Sequence, residues 1–551
     1  MIREPVAQSR PVRSQSRLVE ALHDPACYPH PVHPIRIIET HISFVVVTGT
    51  FAYKIKKSVD LGFLDFTTLE KRRFYCDEEL RLNSRLAPEI YLDVVRICGT
   101  PEAPRIGGTG EVIEYAVRMR EFPQEALADR VLAHGELTSR QVDALSAGIA
   151  RFHSDAPRSS EIDGFSTPEA VLAPALQNFA QIRMLPVQAE SVPVLEEVEG
   201  WTRREHARLR EILAERKREG LVRECHGDLH LGNIVFLEDE PRVFDCIEFN
   251  PELRWIDVMN EVAFLVMDFQ AAGRTDFARR FLNGYLEATG DYAGLRVLRY
   301  YCAYRAMVRA KVMLMRAGQH GCTPEDRASA TALFSRYLSV AASCAQPSRS
   351  FVLITHGFSG SGKTTLSQPL LELSGAIRVR SDVERKRIRG LAAKDRPKSG
   401  IAGGLYSADA TGSTYSRLLD LARVVVDAGY GVIVDATFLK RGQRDMFREL
   451  AAQAGVAFLI VDFAAPEEIL RCRIRSRIVQ DDDASDADLA VLEHQLATHQ
   501  PLQPDEFGCV FGYDASRPAD RAQRPQAWAP LLQRLSLTPA AECLPATGDE
   551  A

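Results

Sequence analysis

The chain of 551 residues is 46% hydrophobic and 26% charged, and its formal net charge is −6. This length exceeds what one hydrophobic core accommodates, so it predicts two or three domains. The weakly acidic balance gives no indication of a nucleic-acid partner, and no segment approaches the ~20 apolar residues that a membrane span requires. Eleven cysteines without a C-x-x-C pair indicate neither a zinc site nor a disulfide framework, so we expect a cytoplasmic protein with reduced thiols.

Changes in composition along the chain predict its domain boundaries. The start is polar and has no apolar segment, so residues 1–29 are predicted to be a disordered lead-in rather than a secretory signal. The small, polar stretch Ala341–Ser350 predicts a linker at 343–350, and the last residues are rich in Ala, Pro and acidic side chains. We therefore predict one domain over 30–342, a second over 351–538, and a disordered tail over 539–551.

The first domain begins with strands and continues with helices. The apolar run Phe44–Val47 and the strand Phe51–Lys57 are separated by Thr48-Gly49-Thr50, which is a hairpin pattern. A helix is predicted over Leu69–Leu86, another strand over Ile113–Met119, and mainly helices after that. Strands followed by helices are typical of an α+β domain.

A loop in the first domain carries side chains suited to phosphoryl transfer. The segment His226–Ile234 reads HGDLHLGNI and places Asp228 five residues before Asn233. In phosphoryl transfer an aspartate orients the acceptor hydroxyl while an asparagine binds Mg²⁺. Asp245 follows an apolar strand, where a second metal-binding carboxylate is expected. Asp228 is therefore a predicted catalytic residue, and Asn233 and Asp245 are predicted metal ligands, with chance spacing as the alternative.

The pattern H-G-D-x-H-x-G-N followed by F-D resembles the aminoglycoside and choline phosphotransferase family, relatives of the protein kinases. The resemblance implies a small strand-rich lobe over a larger helical lobe, with ATP between them. It also implies that Lys54, in Ala-Tyr-Lys, pairs with the α- and β-phosphates and that Glu79 is its acidic partner. The strand Glu114–Phe122 would pack against adenine, and His226 would be a buried brace of the loop.

Several points in this first site stay open. Lys54 stands beside two other lysines, so a solvent-exposed charge run is an alternative, and Glu78 competes with Glu79. The resemblance implies that Asp257 braces the catalytic loop, with a helix cap as the alternative. The sequence has no G-x-G-x-x-G loop in this domain; Glu39–Ser43 occupies the turn that would cover the phosphates.

After the linker, strand and helix patterns alternate, which predicts an α/β domain with a parallel sheet covered by helices. The predicted strands are Phe351–Thr355, Ile377–Val379, Val432–Val434 and Phe458–Val461. The predicted helices are Lys363–Leu373, Thr414–Ala428, Gly442–Gln453 and Pro466–Arg477.

The first of these strands leads into Gly357–Thr364, which matches the phosphate-binding loop (P-loop) pattern G-x-x-x-x-G-K-[ST]. A strand, a glycine-rich turn and a helix start together form a cradle of backbone N–H groups for phosphate. Lys363 is expected to reach the β- and γ-phosphates, and the Thr364 hydroxyl is expected to bind Mg²⁺. A glycine-rich turn without a ligand is the alternative. The predicted nucleotide-binding residues are Gly357, Ser359, Gly360, Ser361, Gly362, Lys363, Thr364 and Thr365.

Charged residues beyond the P-loop predict the rest of a kinase site. Asp382 follows the second strand and is expected to orient an acceptor hydroxyl, with Arg385 binding an anionic group of the substrate. Asp435 ends an apolar strand as a Walker-B-like ligand of Mg²⁺. Four arginines at alternate positions of a later helix cannot share one face. Of these we select Arg473 and Arg477 to neutralise the transferring phosphoryl group, with a solvated basic helix as the alternative.

This second set resembles the zeta-toxin, gluconate-kinase and polynucleotide-kinase group of P-loop kinases, and the tandem resembles bacterial fused proteins. The expected fold is an α+β, protein-kinase-like, two-lobed N-terminal domain followed by an α/β P-loop NTPase domain with a parallel sheet. The expected function is an ATP- and Mg²⁺-dependent phosphotransferase with two nucleotide sites and small-molecule hydroxyl acceptors. The alternatives are a nucleotide-sensing regulatory protein and a P-loop ATPase with a non-catalytic kinase-like domain. Ala436, rather than a glutamate, follows Asp435, which favours transfer over hydrolysis.

Overall fold

The computed structural model describes residues 10–62, 64–319, 321–347, 349–391, 408–480 and 488–537. The chain forms two compact units. The first comprises the residues up to Pro186 together with Arg203–Asp268, and the second comprises Val187–Thr202 together with the residues from Phe269 onward. The predicted boundary at 343–350 does not coincide with this division, because the helical segment 269–342 packs within the second unit.

The first unit contains a six-stranded antiparallel sheet in the order β1-β2-β3-β6-β4-β5. Its strands are β1 (Arg36–Glu39), β2 (Ser43–Val47), β3 (Phe51–Lys56), β4 (Tyr91–Thr100), β5 (Ala103–Ile106) and β6 (Val112–Arg120). Alternate side chains along neighbouring strands, including Val46, Tyr53 and Ala116, form one apolar core. Lys54 therefore stands on a central strand of this sheet.

A helix precedes this sheet, so the predicted disordered lead-in is wrong for residues 10–29. Helix α1 (Arg10–Ala21) carries Leu18, and Leu22 follows one helical turn later; both are buried in the core of the sheet. Gln15 Nε2 also donates to the Lys56 carbonyl at 2.7 Å. Two leucines four residues apart are enough to give a polar segment one apolar face. Residues 1–9 and the predicted tail 539–551 lie outside the described residues.

Helices and short strands make up the rest of the first unit, and two of the helices, α6 and α7, continue into the second. The helices are α2 (Leu69–Asn83), α3 (Ala128–Ala133), α4 (Ser139–Asp155), α5 (Pro168–Ile182), α6 (Val192–Arg218) and α7 (Val258–Ala271). The strands are β7 (Val222–Glu224), β8 (Ile234–Leu237), β9 (Glu240–Val243) and β10 (Trp255–Asp257). Strands β8 and β9 form an antiparallel hairpin. Since Asn233 precedes β8 and Asp245 follows β9, the hairpin brings these two predicted metal ligands to the same end.

The second unit contains a five-stranded sheet in the order β12-β13-β11-β14-β15, and its strand pairs are all parallel. The strands are β11 (Phe351–His356), β12 (Ile377–Arg380), β13 (Val432–Asp435), β14 (Ala457–Ala464) and β15 (Val510–Asp514). The helices are α8 (Thr275–Thr289), α9 (Leu295–Ala317), α10 (Pro324–Ala345), α11 (Lys363–Ser374), α12 (Ser381–Ile388), α13 (Ala408–Asp427), α14 (Arg441–Ala454), α15 (Glu467–Gln480), α16 (Leu489–Thr498) and α17 (Ala529–Leu537). The carboxyl ends of parallel strands meet at one edge, where ligands bind in such folds.

Helix α8 covers the outer edge of β12, which is an edge strand of this sheet. Asn283 Oδ1 accepts the Arg378 N–H at 2.7 Å, and Asn283 Nδ2 donates to the Ala376 carbonyl at 3.2 Å. One amide side chain thus satisfies backbone groups that a neighbouring strand would otherwise bind. Within the described residues, the structure contains no helix with the combined length and apolar character needed to cross a bilayer.

Candidate active sites

Lys54 lies between two carboxylates in the first unit. Its Nζ is 2.7 Å from Glu79 Oε1 and 2.5 Å from Asp245 Oδ1. The other oxygen of Glu79 is 2.7 Å from Nζ of Lys56, a buried lysine that sequence reasoning did not select. Glu78, the competing acid, instead pairs with Arg81 at 2.9 Å. The structure therefore brings Lys54, Glu79 and Asp245 together and does not expose Lys54 as part of a surface charge run.

The electrostatics of this group keep Lys54 and Glu79 ionised. Burial opposes the charge of Lys54, but Asp245 and Glu79 outweigh this effect and hold the pKa of Lys54 well above its usual value. Burial likewise opposes the charge of Glu79, yet Lys54 and Lys56 lower the pKa of Glu79 to about 2. The result is a fixed positive charge beside a partly exposed carboxylate, Asp245. Such a pair can bind the phosphates and the metal of a nucleotide.

The loop between β7 and β8 brings Asp228 and Asn233 into contact. Asn233 Nδ2 donates to Asp228 Oδ2 and to the Asp228 carbonyl, each at 3.0 Å. His226 joins this loop to the next strand end, because its Nε2 lies 2.9 Å from the Phe244 carbonyl and its Nδ1 lies 3.3 Å from the Asp228 N–H. Burial lowers the pKa of His226, so the ring is neutral and acts as a brace.

Asp245 takes its position from the backbone around it. The Phe244 N–H donates to the Asn233 carbonyl at 3.0 Å, which holds the two metal-ligand candidates side by side. Asp245 itself has a φ of 64°, in the left-handed region that aspartate and asparagine tolerate better than most residues. Its N–H donates to the Tyr91 hydroxyl at 3.1 Å.

Glu261 on α7 braces the loop that carries Asp228, and sequence reasoning missed it. Its carboxylate accepts the N–H groups of His226 and Gly227 at 3.1 and 2.7 Å, and His153 Nε2 lies 3.0 Å from Oε1. The prediction that Asp257 braces this loop is wrong. Its carboxylate pairs with Arg216 of α6 at 2.7 and 2.8 Å, and this ion pair fixes the start of α7 rather than the loop.

The turn that would cover the phosphates is short and closed on itself. It joins β1 to β2 through Thr40–Ile42, and the Thr40 N–H donates to the Ser43 carbonyl at 2.9 Å. The Ser43 N–H in turn donates to the Thr40 hydroxyl at 2.9 Å. Two backbone N–H groups of this turn are therefore already satisfied within it.

The P-loop of the second unit adopts a path that requires glycine. Gly357, Gly360 and Gly362 have φ values of 139°, 84° and 84°. A Cβ on Gly360 would lie 2.7 Å from the Leu470 carbonyl oxygen, and a Cβ on Gly357 would lie 2.8 Å from that of Phe463. The loop thus packs directly on the backbone of β14 and α15. It leads into the start of α11, whose N-terminal N–H groups can hold phosphate.

Lys363, Thr364 and Asp435 meet at the carboxyl edge of the parallel sheet. Lys363 Nζ donates to the carbonyls of Gly357 and Phe358 at 3.0 and 2.8 Å, which folds the lysine over the loop. Thr364 Oγ1 donates to Asp435 Oδ2 at 2.6 Å. A hydroxyl and a carboxylate are hard oxygen donors, the type that Mg²⁺ prefers.

Asp382 and Arg385 line the same cavity as the P-loop. This cavity has a volume of about 770 Å³ and also contains Lys363, Thr364 and Asp435. Arg385 Nη1 donates to Asp382 Oδ1 at 3.1 Å. Asp382 lies within the first turn of α12 and does not cap it, since the capping position is Arg380. A carboxylate and a guanidinium therefore line the same cavity as Lys363 and Asp435.

The predicted arginines of α15 differ in their surroundings. Arg473 donates to the Ser361 carbonyl at 3.3 Å and to the Ala515 carbonyl at 2.9 Å, and it lines the cavity. Arg471 pairs with Glu467 and Glu493 at the surface. Arg477 lies in α15, but its side chain is outside the described part of the chain.

Gln495 on α16 is a further cavity residue that the sequence did not reveal. Its Oε1 accepts the Ser359 N–H at 2.9 Å, and its Nε2 donates to the Ser359 hydroxyl at 3.0 Å. This amide therefore fixes the P-loop at Ser359 from α16. Its position 136 residues further along the chain leaves no local signal.

Both sites fit a magnesium-bound nucleotide in the chemistry of their donors. In the first unit, Asn233 and Asp245 would hold the metal, and in the second Thr364 and Asp435 would do so. All four offer oxygen atoms, and each set has a lysine nearby, Lys54 or Lys363, to bind phosphate.

Two family models match the chain, one in each half. The model described as "Phosphotransferase enzyme family" matches residues 75–298, which include the His226–Asp245 segment. The model described as "AAA domain" matches residues 352–502, which include the P-loop, Asp382 and Asp435. Fold and sites together define a fused protein with a protein-kinase-like domain of the aminoglycoside phosphotransferase type, followed by a P-loop kinase domain with a parallel sheet. The expected fold class is confirmed.

Relatives that match most of the chain are found in mycobacteria. The uncharacterized protein Mb2027c of Mycobacterium bovis is 34% identical over 467 residues, which cover 84% of this chain and 91% of that protein. The uncharacterized protein Rv2004c of Mycobacterium tuberculosis gives the same values. The chain therefore belongs to the family of these mycobacterial proteins.

Solved structures resemble each part separately. A choline/ethanolamine kinase family protein from Mesorhizobium loti is 12% identical, covers 59% of this chain and 99% of its own, and has a TM-score of 0.35. A gluconokinase from Sinorhizobium meliloti is 20% identical, covers 35% of this chain and 98% of its own, and has a TM-score of 0.25.

Proposed function

We propose that this protein is an ATP- and Mg²⁺-dependent phosphotransferase with two nucleotide sites, each transferring the γ-phosphoryl group to a small-molecule hydroxyl. The observation that carries the proposal is that, in each unit, a candidate metal-binding carboxylate from a distant part of the chain contacts the candidate phosphate-binding lysine or the residue next to it. Asp245 contacts Lys54 at 2.5 Å across 191 residues, and Asp435 contacts Thr364, next to Lys363, at 2.6 Å across 71 residues.

In the first site, Lys54 binds the α- and β-phosphates, and Glu79 fixes the lysine. Bound Mg²⁺, held by Asn233 and Asp245, supplies neutralisation of the phosphate charge. Asp228 accepts the proton of the acceptor hydroxyl. The hydroxyl oxygen bonds to the γ-phosphorus as the bond between the γ-phosphorus and the oxygen bridging to the β-phosphate breaks. Asn233 Nδ2 holds Asp228 Oδ2, which orients the carboxylate for that task.

In the second site, the P-loop N–H groups and Lys363 bind the triphosphate, and Thr364 and Asp435 hold the metal. Asp382 orients the acceptor hydroxyl from the opposite wall of the cavity, and Arg385 binds an anionic part of the acceptor. Arg473 and Arg477 are proposed to neutralise the transferring phosphoryl group. Arg473 stands beside the P-loop, since its Nη1 lies 3.3 Å from the Ser361 carbonyl.

The proposal is tested by ³¹P detection of products formed from ATP and a metabolite library. The Lys363→Ala variant should retain only products of the first site, and Asp228→Asn should retain only those of the second. Loss of a general base lowers turnover by about 100-fold or more. Arg475→Ala, at an exposed position of α15, is the control and should retain both sets. Unchanged first-site products in Asp228→Asn would contradict the role given to Asp228.

A nucleotide-sensing first domain is a second candidate, favoured by one observation. The turn at Thr40–Ser43 satisfies two of its N–H groups internally and so offers fewer donors to phosphates than a glycine-rich loop. In that case the second site acts alone, as a kinase or as a P-loop ATPase. Nucleotide binding by the Lys363→Ala variant without any phosphorylated product would support this candidate.

A further inference from the structure

The end of α8 lies against the carboxyl end of β12. Glu287 Oε1 is 2.7 Å from Arg380 Nη1, and Glu287 Oε2 is 3.9 Å from Arg378 Nη2. The Glu287 carbonyl also accepts from Arg387 Nη2 on α12 at 2.5 Å. Glu287 belongs to the stretch matched by the phosphotransferase family model, residues 75–298, yet it contacts two elements of the P-loop domain.

The two arginines that pair with Glu287 also lie next to Thr364 and Asp435, the proposed metal ligands of the P-loop site. Arg378 Nη1 donates to the Thr364 carbonyl at 2.9 Å. Arg380 Nε lies 4.0 Å from Asp435 Oδ2, the same oxygen that accepts from Thr364. The Asp435 and Arg380 side chains are 5% and 13% exposed, so charges here interact with little screening by water.

Arg380 therefore stands between two carboxylates with different tasks. With Glu287 in place, the guanidinium makes its short contact on the α8 side and stays 4.0 Å from Asp435. Without the Glu287 charge, the Asp435 carboxylate, 4.0 Å from Arg380 Nε, keeps its attraction for the guanidinium while the opposing attraction from α8 is lost. A guanidinium that closed on Asp435 would compete with Mg²⁺ for the carboxylate.

We propose that Glu287 is a positioning residue of the P-loop site, which holds Arg380 off Asp435 and keeps that carboxylate available to the metal. The inference rests on the proposed function of this site as a Mg²⁺-nucleotide site. If Glu287 has this role, α8, which precedes the predicted linker, contributes to metal binding at the P-loop site. The expected signature is a changed metal requirement rather than a changed fold.

The test uses the full chain with the first metal site removed by Asn233→Ala and Asp245→Asn. Binding of the non-hydrolysable analogue AMP-PNP is measured by calorimetry at increasing Mg²⁺. Adding Glu287→Gln should raise the half-saturating Mg²⁺ concentration about tenfold, the order expected for a partly screened ion pair. Affinity at saturating Mg²⁺ should change by less than about twofold, because the phosphate contacts are intact.

Glu372→Gln is the matched control. Glu372 on α11 pairs with Arg280 of α8 at 2.8 Å, so it is an ion pair of the same helix away from the metal site. Its loss should lower stability without moving the Mg²⁺ requirement. Adding Arg380→Met to Glu287→Gln should restore the requirement of the background, which a merely structural role of Glu287 would not produce.

Each remaining outcome decides the matter. If the background binds Mg²⁺·AMP-PNP and Glu287→Gln leaves the Mg²⁺ requirement unchanged, the inference is wrong and the proposed function stands. If the background binds no nucleotide at any Mg²⁺ concentration, both fail. Should Glu287→Gln not fold, Arg380→Met alone serves: it should lower the Mg²⁺ requirement, and a rise would overturn the inference.

Discussion

Two buried carboxylates in the first unit, Glu79 and Glu261, remain charged because hydrogen-bond donors surround them. Burial alone would raise the pKa of Glu261, but the hydrogen bond from His153 and its neighbours lower that pKa to about 2 from an ordinary 4.5. A carboxylate whose pKa is depressed in the folded state stabilises that state above its unfolded pKa. The stabilisation is lost as the pH falls through the folded pKa.

The Glu261→Gln variant should therefore be less stable than the unaltered protein at neutral pH, by about 3 kcal/mol for a shift of this size. The difference should shrink as the pH falls from 4.5 towards 2, since protonated Glu261 resembles glutamine in charge. Urea unfolding followed at several pH values measures it. Glu252→Gln, at an exposed site of the same unit, should show no such trend; a Glu261→Gln difference that is constant with pH would contradict the assignment.

Gly360 gives a residue-scale prediction for the second unit. Gly360→Ala places a Cβ 2.7 Å from the Leu470 carbonyl oxygen at a φ of 84°, so the P-loop must shift. We expect a loss of about 1–3 kcal/mol in stability and loss of nucleotide binding at this site. Calorimetry and thermal unfolding measure both. In the control Gly412→Ala, a helical glycine with open space around its Cβ, stability should not fall and binding should be unchanged.

Local patterns revealed the residues that act through short sequence spacing and missed those that act across the fold. Asp228, Asn233 and the P-loop lie in contiguous motifs, so their proximity follows from the sequence. Glu261 could not be separated from Asp257 because both are acids near the start of α7. Only the tertiary contact of Asp257 with Arg216 assigns their different tasks.

At the scale of elements, the parallel sheet of the second unit is held in register by side chains as well as by strands. Strand β12 has β13 on one side and α8 on the other. Asn283 donates and accepts on that outer side, which fixes α8 along the strand. Glu287 lies one helical turn further along α8, so the amide contact also sets the position of that carboxylate.

The Asn283→Ala variant tests whether this contact holds the edge of β12. The Arg378 N–H and the Ala376 carbonyl lose their partner, which costs about 1–3 kcal/mol for buried groups left unsatisfied. Hydrogen exchange of the Arg378 amide should become faster, while amides in the central strand β11 should keep their protection. Unchanged exchange at Arg378 would show that the Asn283 contact does not hold the strand edge.

Alternating strand and helix patterns predicted β11 to β14 closely, because buried parallel strands are short apolar runs. Strand β15 was not predicted, since Val510–Asp514 has a glycine at its centre and ends in an aspartate, which leaves no continuous apolar run. Helix α1 was missed because the segment is mostly polar and contributes only Leu18, together with Leu22 just beyond its end, to the core of the sheet. Its pairing with the sheet is a long-range contact that no local pattern contains.

At the scale of the whole molecule, two compact units each hold one candidate nucleotide site. The predicted boundary at 343–350 followed a change in composition, whereas the units follow packing. Composition shows which segments of a chain are polar, but it does not show which helices belong to the same compact unit as a sheet. Helices α8 to α10 therefore could not be assigned to the second unit from the sequence alone.

Titration calorimetry with AMP-PNP and Mg²⁺ should give two equivalents bound per chain. Asp245→Asn should weaken one of them, and Lys363→Ala should remove the other, because each variant alters a different unit. Arg471→Ala, a surface ion-pair residue, should leave both. A single equivalent in the unaltered protein would contradict the presence of two sites.

The Asn283 contact also bears on how the chain can be dissected. A fragment beginning at Phe351 would leave the outer N–H and C=O groups of β12 exposed to solvent. An uncovered edge strand of this kind can pair with a strand of another molecule of the same fragment, which leads to aggregation. A fragment that starts before α8 retains the helix that covers the β12 edge. Light scattering should therefore find the longer fragment monodisperse and the shorter fragment aggregated.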